Sequence, residues 1–143
     1  MNLTLSYLDK LRLPLLHKLY KENYPSGKPK GKEEIVILEE KKRIIGSIRI
    51  KTYDDCHFLT GMMIIQEKRQ QHLGSYFLSE IAPFLSLRES YCLCEPYLTN
   101  FYQQNGFICI SHESLPHIIT SKYDRYTKDG KKLDVLVYKK SNN

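Results

Sequence analysis

The sequence contains 143 residues, which is about the size of one domain and long enough to bury a core. Its residues are 41% hydrophobic and 27% charged, a composition that excludes a disordered tail, a collagen-like chain and a small disulfide scaffold. Lysine and arginine number 22 against 16 acidic residues, and the net charge of +6 favours anionic partners: nucleic acid, anionic lipid or a phosphate-bearing small molecule. We expect residues 1–143 to form a single domain.

The sequence lacks the features of a membrane or secreted protein. No stretch approaches the roughly 18 apolar residues of a membrane span, and the longest apolar segment, near the N-terminus, is interrupted by charged side chains such as Asp9 and Arg12. The layout of a secretory signal is also missing. We therefore expect a cytoplasmic protein with no membrane contact, whose cysteines are thiols. These cysteines are Cys56, Cys92, Cys94 and Cys109.

The N-terminal part of the chain predicts a strand, a helix and a loop. Residues 3–7 alternate apolar and polar side chains, which indicates a short strand. A helix is predicted from Pro14, because proline fits the first helical turn, and it ends at Asn23. The segment 25–32, rich in glycine, proline and lysine, predicts an exposed mobile loop.

Three strands are predicted next. The first two, Ile35–Leu38 and Ile44–Ile50, form a hairpin in which the charged run 39–43 makes the turn. The third, Phe58–Ile65, is nearly all apolar at its end, as expected for a strand covered on both sides. It stops in the charged run 66–69.

The second half of the chain alternates helices and strands. The predicted elements are a helix from Gly74 to Leu85, a strand over Ser90–Cys94, a helix from Pro96 to Asn105 ended by a left-handed Gly106, a strand over Phe107–Ile110, a helix or ordered loop from Pro116 to about Lys128, and a strand over Leu133–Tyr138. The whole order, β-α-β-β-β-α-β-α-β followed by a last strand, predicts one mixed α/β domain around a central sheet.

The segment 62–75 leads a buried strand through a tight polar turn into a helix. Such a turn points successive backbone N–H groups at one spot, at the positive end of the helix dipole, where a pyrophosphate fits. Lys68 and Arg69 add formal positive charge. An ordinary strand-to-helix connection is the alternative, because such connections often carry a glycine and a few charges.

This segment, together with residues 94–107, resembles the GCN5-related N-acetyltransferase (GNAT) superfamily. That family's phosphate loop reads Gln/Arg-x-x-Gly-x-Gly/Ala, and Arg69-Gln-Gln-His72-Leu-Gly74 lies over it. Phe101-Tyr102-x-x-x-Gly106-Phe107 matches the family's later helix, and Arg43-Ile-Ile-Gly46 is similar to its third strand. The resemblance covers roughly residues 35–110, and it implies an α/β (α+β) fold with a mixed central sheet and helices on both faces.

The resemblance also implies an activity. Members of this family move an acetyl group from acetyl-CoA to an amine, generally by direct attack on the thioester. We therefore expect acetyl-CoA as co-substrate, no metal, and a primary amine on a small molecule or peptide as the acceptor. Dimers are common in the family, so a homodimer is an expectation too.

The resemblance assigns the cofactor site residue by residue. Met62, Met63 and Ile64 would bind the pantetheine arm through their backbone, as an added strand would, and a main-chain N–H there could stabilise the oxyanion of the thioester carbonyl. The pyrophosphate would be held by Arg69, Gln70, Gln71, His72, Leu73, Gly74 and Ser75. His72 departs from the family, which has glycine there so that the backbone can approach the pyrophosphate closely.

Two catalytic residues are predicted. Tyr102 maps onto the tyrosine that often protonates the departing CoA thiolate, since a phenol with a pKa near 10 roughly matches an alkyl thiol. Its alternative role is packing against Phe101. Glu95 is the candidate general base, or else a carboxylate favoured by the dipole of the next helix. A polar group formed by Asp54, Asp55 and His57 is a weaker candidate, which we expect to be a solvated loop.

The residues also suggest three other functions. Cys92-x-Cys94, with Cys56-His57 and Cys109, suggests zinc, but the alternation of a strand favours buried apolar thiols. A lysine-rich patch suggests nucleic acid, but its residues fall in a loop and a hairpin turn, where charges are usually solvated; they are Lys28, Lys30, Lys32, Lys41, Lys42 and Arg43. A GNAT-fold module that senses acetyl-CoA or docks on a protein, with weak catalysis, is the runner-up.

Overall fold

The computed structural model describes residues 2–25 and 33–139. The predicted loop at 25–32 therefore lies outside the described residues except for Pro25, as do Lys28, Lys30 and Lys32 of the lysine-rich patch. The described strands are β1 (Leu3–Tyr7), β2 (Glu34–Glu40), β3 (Arg43–Thr52), β4 (Cys56–Ile64), β5 (Glu89–Cys94), β6 (Phe107–Cys109) and β7 (Asp134–Tyr138). The described α-helices are α1 (Leu13–Asn23), α2 (Leu73–Leu85), α3 (Thr99–Gln103) and α4 (His117–Thr127).

The seven strands are hydrogen-bonded in the order β1-β2-β3-β4-β5-β7-β6. This sheet with its helices confirms the predicted α/β (α+β) class. Within the described residues the chain divides into two compact units: the first comprises residues up to 52 together with 59–80, and the second comprises 53–58 together with 81 onwards.

The first unit contains an antiparallel run of β1, β2 and β3. Leu5 faces Leu38 across one pair of strands, and Val36 faces Ile48 across the other. The predicted hairpin is confirmed, but its turn is shorter than residues 39–43. Only Lys41 and Lys42 form it, with φ values of 51° and 66°, because a two-residue turn of that hand matches the twist of the paired strands.

The core of the first unit is built around the buried face of α1. Leu16 and Tyr20 are completely buried, as the helical spacing of the apolar residues predicts. The Tyr20 hydroxyl lies 3.2 Å from Ser47 Oγ and 2.5 Å from the Gly61 carbonyl oxygen. Burial raises the pKa of Tyr20 to about 12, so this phenol stays neutral and donates a hydrogen bond inside the core.

The second unit contains β5, β7 and β6 as an antiparallel run. Cys92 faces Leu136, and Phe107 faces Tyr138. Cys92 and Cys94 are both buried, as the alternation of the strand predicts. All four cysteines are thiols, and burial raises the pKa of both Cys92 and Cys94. These two side chains therefore act as small apolar groups.

The predicted helix from Pro96 to Asn105 is shorter than expected. A 3₁₀ turn over Pro96–Leu98 precedes the five residues of α3. The Asn105 side chain then donates to the Phe101 carbonyl, 2.8 Å away, and ends the helix. Gly106 has a φ of 93°, which confirms the predicted left-handed residue. A Cβ there would also lie 2.8 Å from the Tyr138 ring, so both conformation and space require glycine.

His57 lies within β4 and is completely buried. The expectation of a solvated loop is confirmed for Asp54 and Asp55, which are exposed, but it is wrong for His57. The imidazole stacks on Phe84, with ring centroids 4.5 Å apart, and its Nδ1 lies 3.0 Å from Ser90 Oγ. A core partner from another strand therefore compensates for part of the cost of burying this polar ring.

The hydrogen bonds of His57 define its protonation. Ser90 Oγ donates to the Leu85 carbonyl at 2.8 Å, so it accepts from the Nδ1–H of His57. Among the described residues the buried Nε2 has no hydrogen-bond partner. Burial, and to a smaller degree the nearby Arg88 charge, lowers the pKa of His57. The fold therefore favours the neutral imidazole.

We predict that His57 makes the protein less stable in acid. Its pKa is near 6.5 in the unfolded chain and lower in the fold, so its contribution is fully present above pH 6.5. That contribution falls below pH 6.5 by up to about 1.4 kcal/mol per pH unit, until the folded pKa is reached. The measurement is the free energy of unfolding of wild type and His57→Phe in urea, between pH 8 and pH 5. A difference between the two proteins that does not change with pH would contradict the prediction.

Candidate active site

The predicted pantetheine strand lies at the end of β4, in the first unit. Met63 is buried, and Met62 and Ile64 are partly buried. The neighbouring β3 supplies Gly46, where a Cβ would lie 2.8 Å from Ile64 Cδ1 and 3.2 Å from the Met63 carbonyl oxygen. The early glycine singled out in the sequence therefore gives room for the backbone of the predicted cofactor strand.

A distortion precedes this strand end. Gly61 has a φ of 62° inside β4, a conformation that regular strands do not use and that is typical of a β-bulge. The Tyr20 hydroxyl binds its carbonyl oxygen. Gly61 was not among the predicted site residues, although an isolated glycine within a strand pattern is a signal for a bulge.

The turn after β4 begins with a 3₁₀ turn over Gln66–Lys68. It continues through Gln70 and His72, whose φ values are 65° and 60°. Both residues are in the left-handed region, which non-glycine side chains rarely adopt and which histidine tolerates better than most. This conformation accounts for the family's glycine at the position of His72. The backbone of His72 thus has a conformation that glycine adopts readily, and its side chain is exposed.

Helix α2 starts directly after His72. The Tyr76 amide donates to the His72 carbonyl at 3.1 Å, which is the first bond of the helix. The N–H groups before it at the helix start have no acceptor within the helix, so they are the positive end of the helix dipole. Leu73 and Phe77 are buried and anchor this first turn. The arrangement can hold an anion at the helix start, as pyrophosphate binding requires.

The charges of the turn are largely paired. The Lys68 ammonium lies 2.8 Å from the Glu40 carboxylate. The Arg69 guanidinium donates to the carbonyls of Ile64 and Asn23 at 2.9 and 2.7 Å. The two formal charges that the sequence placed near a phosphate are thus already engaged. Lys68 is thus paired with a carboxylate, whereas Arg69 keeps its positive charge and binds neutral carbonyls.

A second ion pair flanks the turn. The Arg43 guanidinium binds the Glu67 carboxylate, and this contact lowers the pKa of Glu67. A cavity of about 380 Å³ opens beside this pair, between the end of α1 and the turn. Its walls are Leu19, Glu22, Asn23, Arg43, Ile65, Gln66 and Glu67.

Tyr102 lies on α3, in the second unit, and its ring is partly buried. The ring makes edge contacts with Phe101 and Phe107, at centroid distances of 5.2 and 5.4 Å. The predicted packing against Phe101 is therefore present. These contacts fix the orientation of the ring.

Glu95 follows the last residue of β5, also in the second unit. Its carboxylate lies 3.1 Å from the Lys131 ammonium, and both side chains are about half exposed, at 44% and 52%. The residue precedes the 3₁₀ turn over Pro96–Leu98 and makes no side-chain cap bond to it. Glu95 thus lies directly before the helical turn without a cap bond, and the alternative of a carboxylate favoured by the helix dipole stays a prediction. If Glu95 were the general base, its carboxylate would contact Lys131 and the proton of the amine at the same time.

The ten predicted cofactor residues lie together in the first unit, on one continuous strand, turn and helix start. Tyr102 and Glu95 lie in the second unit. In residues 2–25 and 33–139, no three His, Cys, Asp or Glu side chains are grouped closely enough to hold a metal ion. Every helix in the part of the chain that the structure describes is too short or too polar to cross a membrane.

Solved structures share this fold at low sequence identity. N-acetylglutamate synthase from Neisseria gonorrhoeae, complexed with coenzyme A and N-acetyl-glutamate, aligns with a TM-score of 0.79 and 16% identity over 99% of this chain and 36% of that one. This chain thus spans about a third of that synthase. The ribosomal-protein-S18-alanine N-acetyltransferase from Escherichia coli aligns with a TM-score of 0.70 and 13% identity, over 99% of this chain and 97% of the other.

A third structure, a GNAT family acetyltransferase from Elizabethkingia anophelis with acetyl-CoA bound, aligns with a TM-score of 0.66 and 11% identity, over 97% of this chain and 99% of that one. No curated protein has a sequence that matches the chain. The sequence model of the acetyltransferase (GNAT) domain matches residues 31–109, more than half of the chain. The chain therefore belongs to the GNAT acetyltransferase domain family.

Proposed function

We propose that this chain is an acetyl-CoA-dependent N-acetyltransferase that moves an acetyl group to a primary amine by direct attack on the thioester. The observation that carries the proposal is the left-handed backbone at Gln70 and His72, which leads from β4 into the start of α2. Both positions carry non-glycine residues in a strained backbone conformation. An ordinary strand-to-helix connection would not need this strain. The strain is understandable if the backbone N–H groups of this turn bind pyrophosphate.

The proposed cofactor site uses the backbone of the first unit. Met62, Met63 and Ile64 bind the pantetheine arm as an added strand would, next to the space that Gly46 leaves. The segment 69–75 binds the pyrophosphate. Acetyl-CoA supplies the acetyl group as a thioester, and the chain's part is to hold and orient it.

The proposed chemistry uses two side chains of the second unit. The amine nitrogen attacks the thioester carbonyl carbon, a C–N bond forms, and the C–S bond breaks. Tyr102 donates its phenolic proton to the departing thiolate, and Glu95 accepts the proton that the amine loses, directly or through water. Tyr102 is restored when it regains a proton from solvent.

A second candidate function is a catalytically weak acetyl-CoA sensor or interaction module. The ion pair between Glu95 and Lys131 favours it, because the Lys131 ammonium already contacts the carboxylate that would have to accept the proton of the amine. Turnover separates the two functions. An enzyme releases free CoA when an amine is supplied, whereas a sensor binds acetyl-CoA and releases no free CoA.

We also propose that residues 1–143 form one acetyltransferase domain, because β4 and α2 each contribute residues to both units. The acceptor is a primary amine on a small molecule or peptide. The related structures suggest two amines for a first screen: L-glutamate, after the synthase, and a peptide with an N-terminal alanine, after the ribosomal-protein enzyme. Polyamines complete the screen as cationic amines that the net charge of +6 would repel.

We predict that the protein binds acetyl-CoA at one saturable site and binds ATP much more weakly. The physical reason is that ATP supplies phosphates but no pantetheine arm to pair with the end of β4. Isothermal calorimetry with acetyl-CoA, CoA and ATP measures this difference. An absence of acetyl-CoA binding at near-millimolar ligand would contradict the prediction and favour an interaction module.

We predict that His72→Gly binds acetyl-CoA about threefold more tightly, because glycine adopts the same left-handed backbone and removes the side chain beside the pyrophosphate. His72→Ala is the matched control, since it keeps a Cβ at this position and should bind like wild type. Weaker binding by both variants would instead mean that the imidazole donates to a phosphate. The measurement is the calorimetric Kd.

We predict that Tyr102→Phe lowers kcat by about 10²- to 10⁴-fold, the usual contribution of a general acid, with little change in the Kd for acetyl-CoA. Free thiol release with the best amine of the screen gives kcat. Tyr7→Phe removes an exposed phenol outside the proposed site and should keep full activity. Unchanged turnover in Tyr102→Phe would leave Tyr102 with only its packing role.

A further inference from the structure

The C-terminal end of α1 is bound to the turn that precedes the proposed phosphate loop. Asn23 is the last residue of α1. Its side-chain Oδ1 accepts a hydrogen bond from the Gln66 amide at 2.8 Å, and its Nδ2 donates to the Leu19 carbonyl at 2.9 Å. One amide group therefore both caps the helix and holds the first residue of the turn.

Arg69 completes the same junction from the other end of the turn. Its Nε donates to the Ile64 carbonyl, at the end of β4, and its Nη2 donates to the Asn23 carbonyl. The second contact supplies a donor to the carbonyl of the last residue of α1, which no N–H group of the helix can reach. It also places a cation at the negative end of that helix dipole. Arg69 thus links the strand end to the helix end.

These contacts differ in kind from the ion pairs around the turn. Arg43 and Glu67 interact through side chains that are 56% and 58% exposed, and exposed pairs of this type contribute little. Here the Gln66 amide donates to the Asn23 side chain, and Arg69 donates to the Ile64 carbonyl, so both contacts hold backbone atoms. They therefore fix the path of the main chain that leads into the left-handed residues Gln70 and His72.

We propose that Asn23 is a positioning residue for acetyl-CoA, which acts with Arg69 to hold the phosphate loop in its binding conformation. The proposal rests on the proposed function of the loop. A loop that is already in its binding shape loses less conformational entropy when ligand binds, so loss of the junction weakens binding. Neither residue needs to touch the reacting atoms for this effect.

The first test is the Kd for acetyl-CoA of Asn23→Ala, measured by calorimetry. The substitution removes the bond to the Gln66 amide, and we expect binding to weaken about threefold to tenfold, the range that one neutral hydrogen bond supports. Thr127→Ala is the matched control. Thr127 is the last residue of α4 and donates to the carbonyl four residues earlier at 2.8 Å, so its loss removes a similar cap without touching the turn. Equal Kd values for the two variants would overturn the proposal.

The second test is a double-mutant cycle with Arg69→Lys, which keeps the charge but replaces the fork that bridges two carbonyls with one ammonium. If Asn23 and Arg69 hold one junction, the combined variant should bind only slightly more weakly than the worse single variant. Fully additive losses would mean that the two residues act independently, and would overturn the shared role.

Amide hydrogen exchange separates this inference from the proposed function. The Gln66 amide should exchange faster in Asn23→Ala than in wild type or Thr127→Ala, because its acceptor is gone, while the amides of β3 should stay unchanged. This result does not require ligand. A wild-type protein that binds no acetyl-CoA would overturn the proposed function, yet exchange at Gln66 would still show whether Asn23 holds the turn. Unchanged exchange at Gln66 would overturn the inference even if acetyl-CoA binds.

Discussion

The hydrogen bond between the Asn23 side chain and the Gln66 amide is the contact on which the geometry of the candidate site depends. It joins residues 43 positions apart, at the end of α1 and at the start of the turn after β4. Without it the first residue of the turn would lose its direct link to α1, and Arg69 alone would join the turn to the end of that helix. The strand end, the left-handed residues and the start of α2 all follow from the direction in which this turn leaves the sheet.

The two cations of the proposed phosphate loop already have partners within the chain. Lys68 is paired with Glu40, and the guanidinium of Arg69 is used on carbonyls. The Lys68 charge is therefore compensated by a carboxylate, whereas the Arg69 charge is held by the carbonyls at the ends of β4 and α1. Backbone donors keep their partial charges at any pH and are rigidly placed, whereas flexible cations are screened by salt and must be ordered when ligand binds.

Local patterns predicted most elements, and contacts between distant residues explain the remainder. The strand-turn-helix segment was predictable because apolar residues repeat at strand and helix spacing, and Gly106 because only glycine fits the end of its helix. His57 was wrongly placed because it follows two aspartates, while its partner Ser90 lies 33 positions away. Asn23 carried no local signal either, since an asparagine at a helix end is an ordinary cap. The role of Tyr102 came from the resemblance, and that of Glu95 from its place at the end of a strand close in sequence to the predicted site; both stay predictions.

The left-handed conformation of His72 has a consequence for how this loop can change in sequence. A non-glycine residue in that conformation costs about 1 kcal/mol or more, which an isolated turn of few contacts could not sustain. Here the strand end, the helix end and the buried Leu73 hold the backbone from outside. The shape of the loop is thus encoded partly by its surroundings, so position 72 can exchange histidine for other residues that accept a positive φ, such as glycine or asparagine.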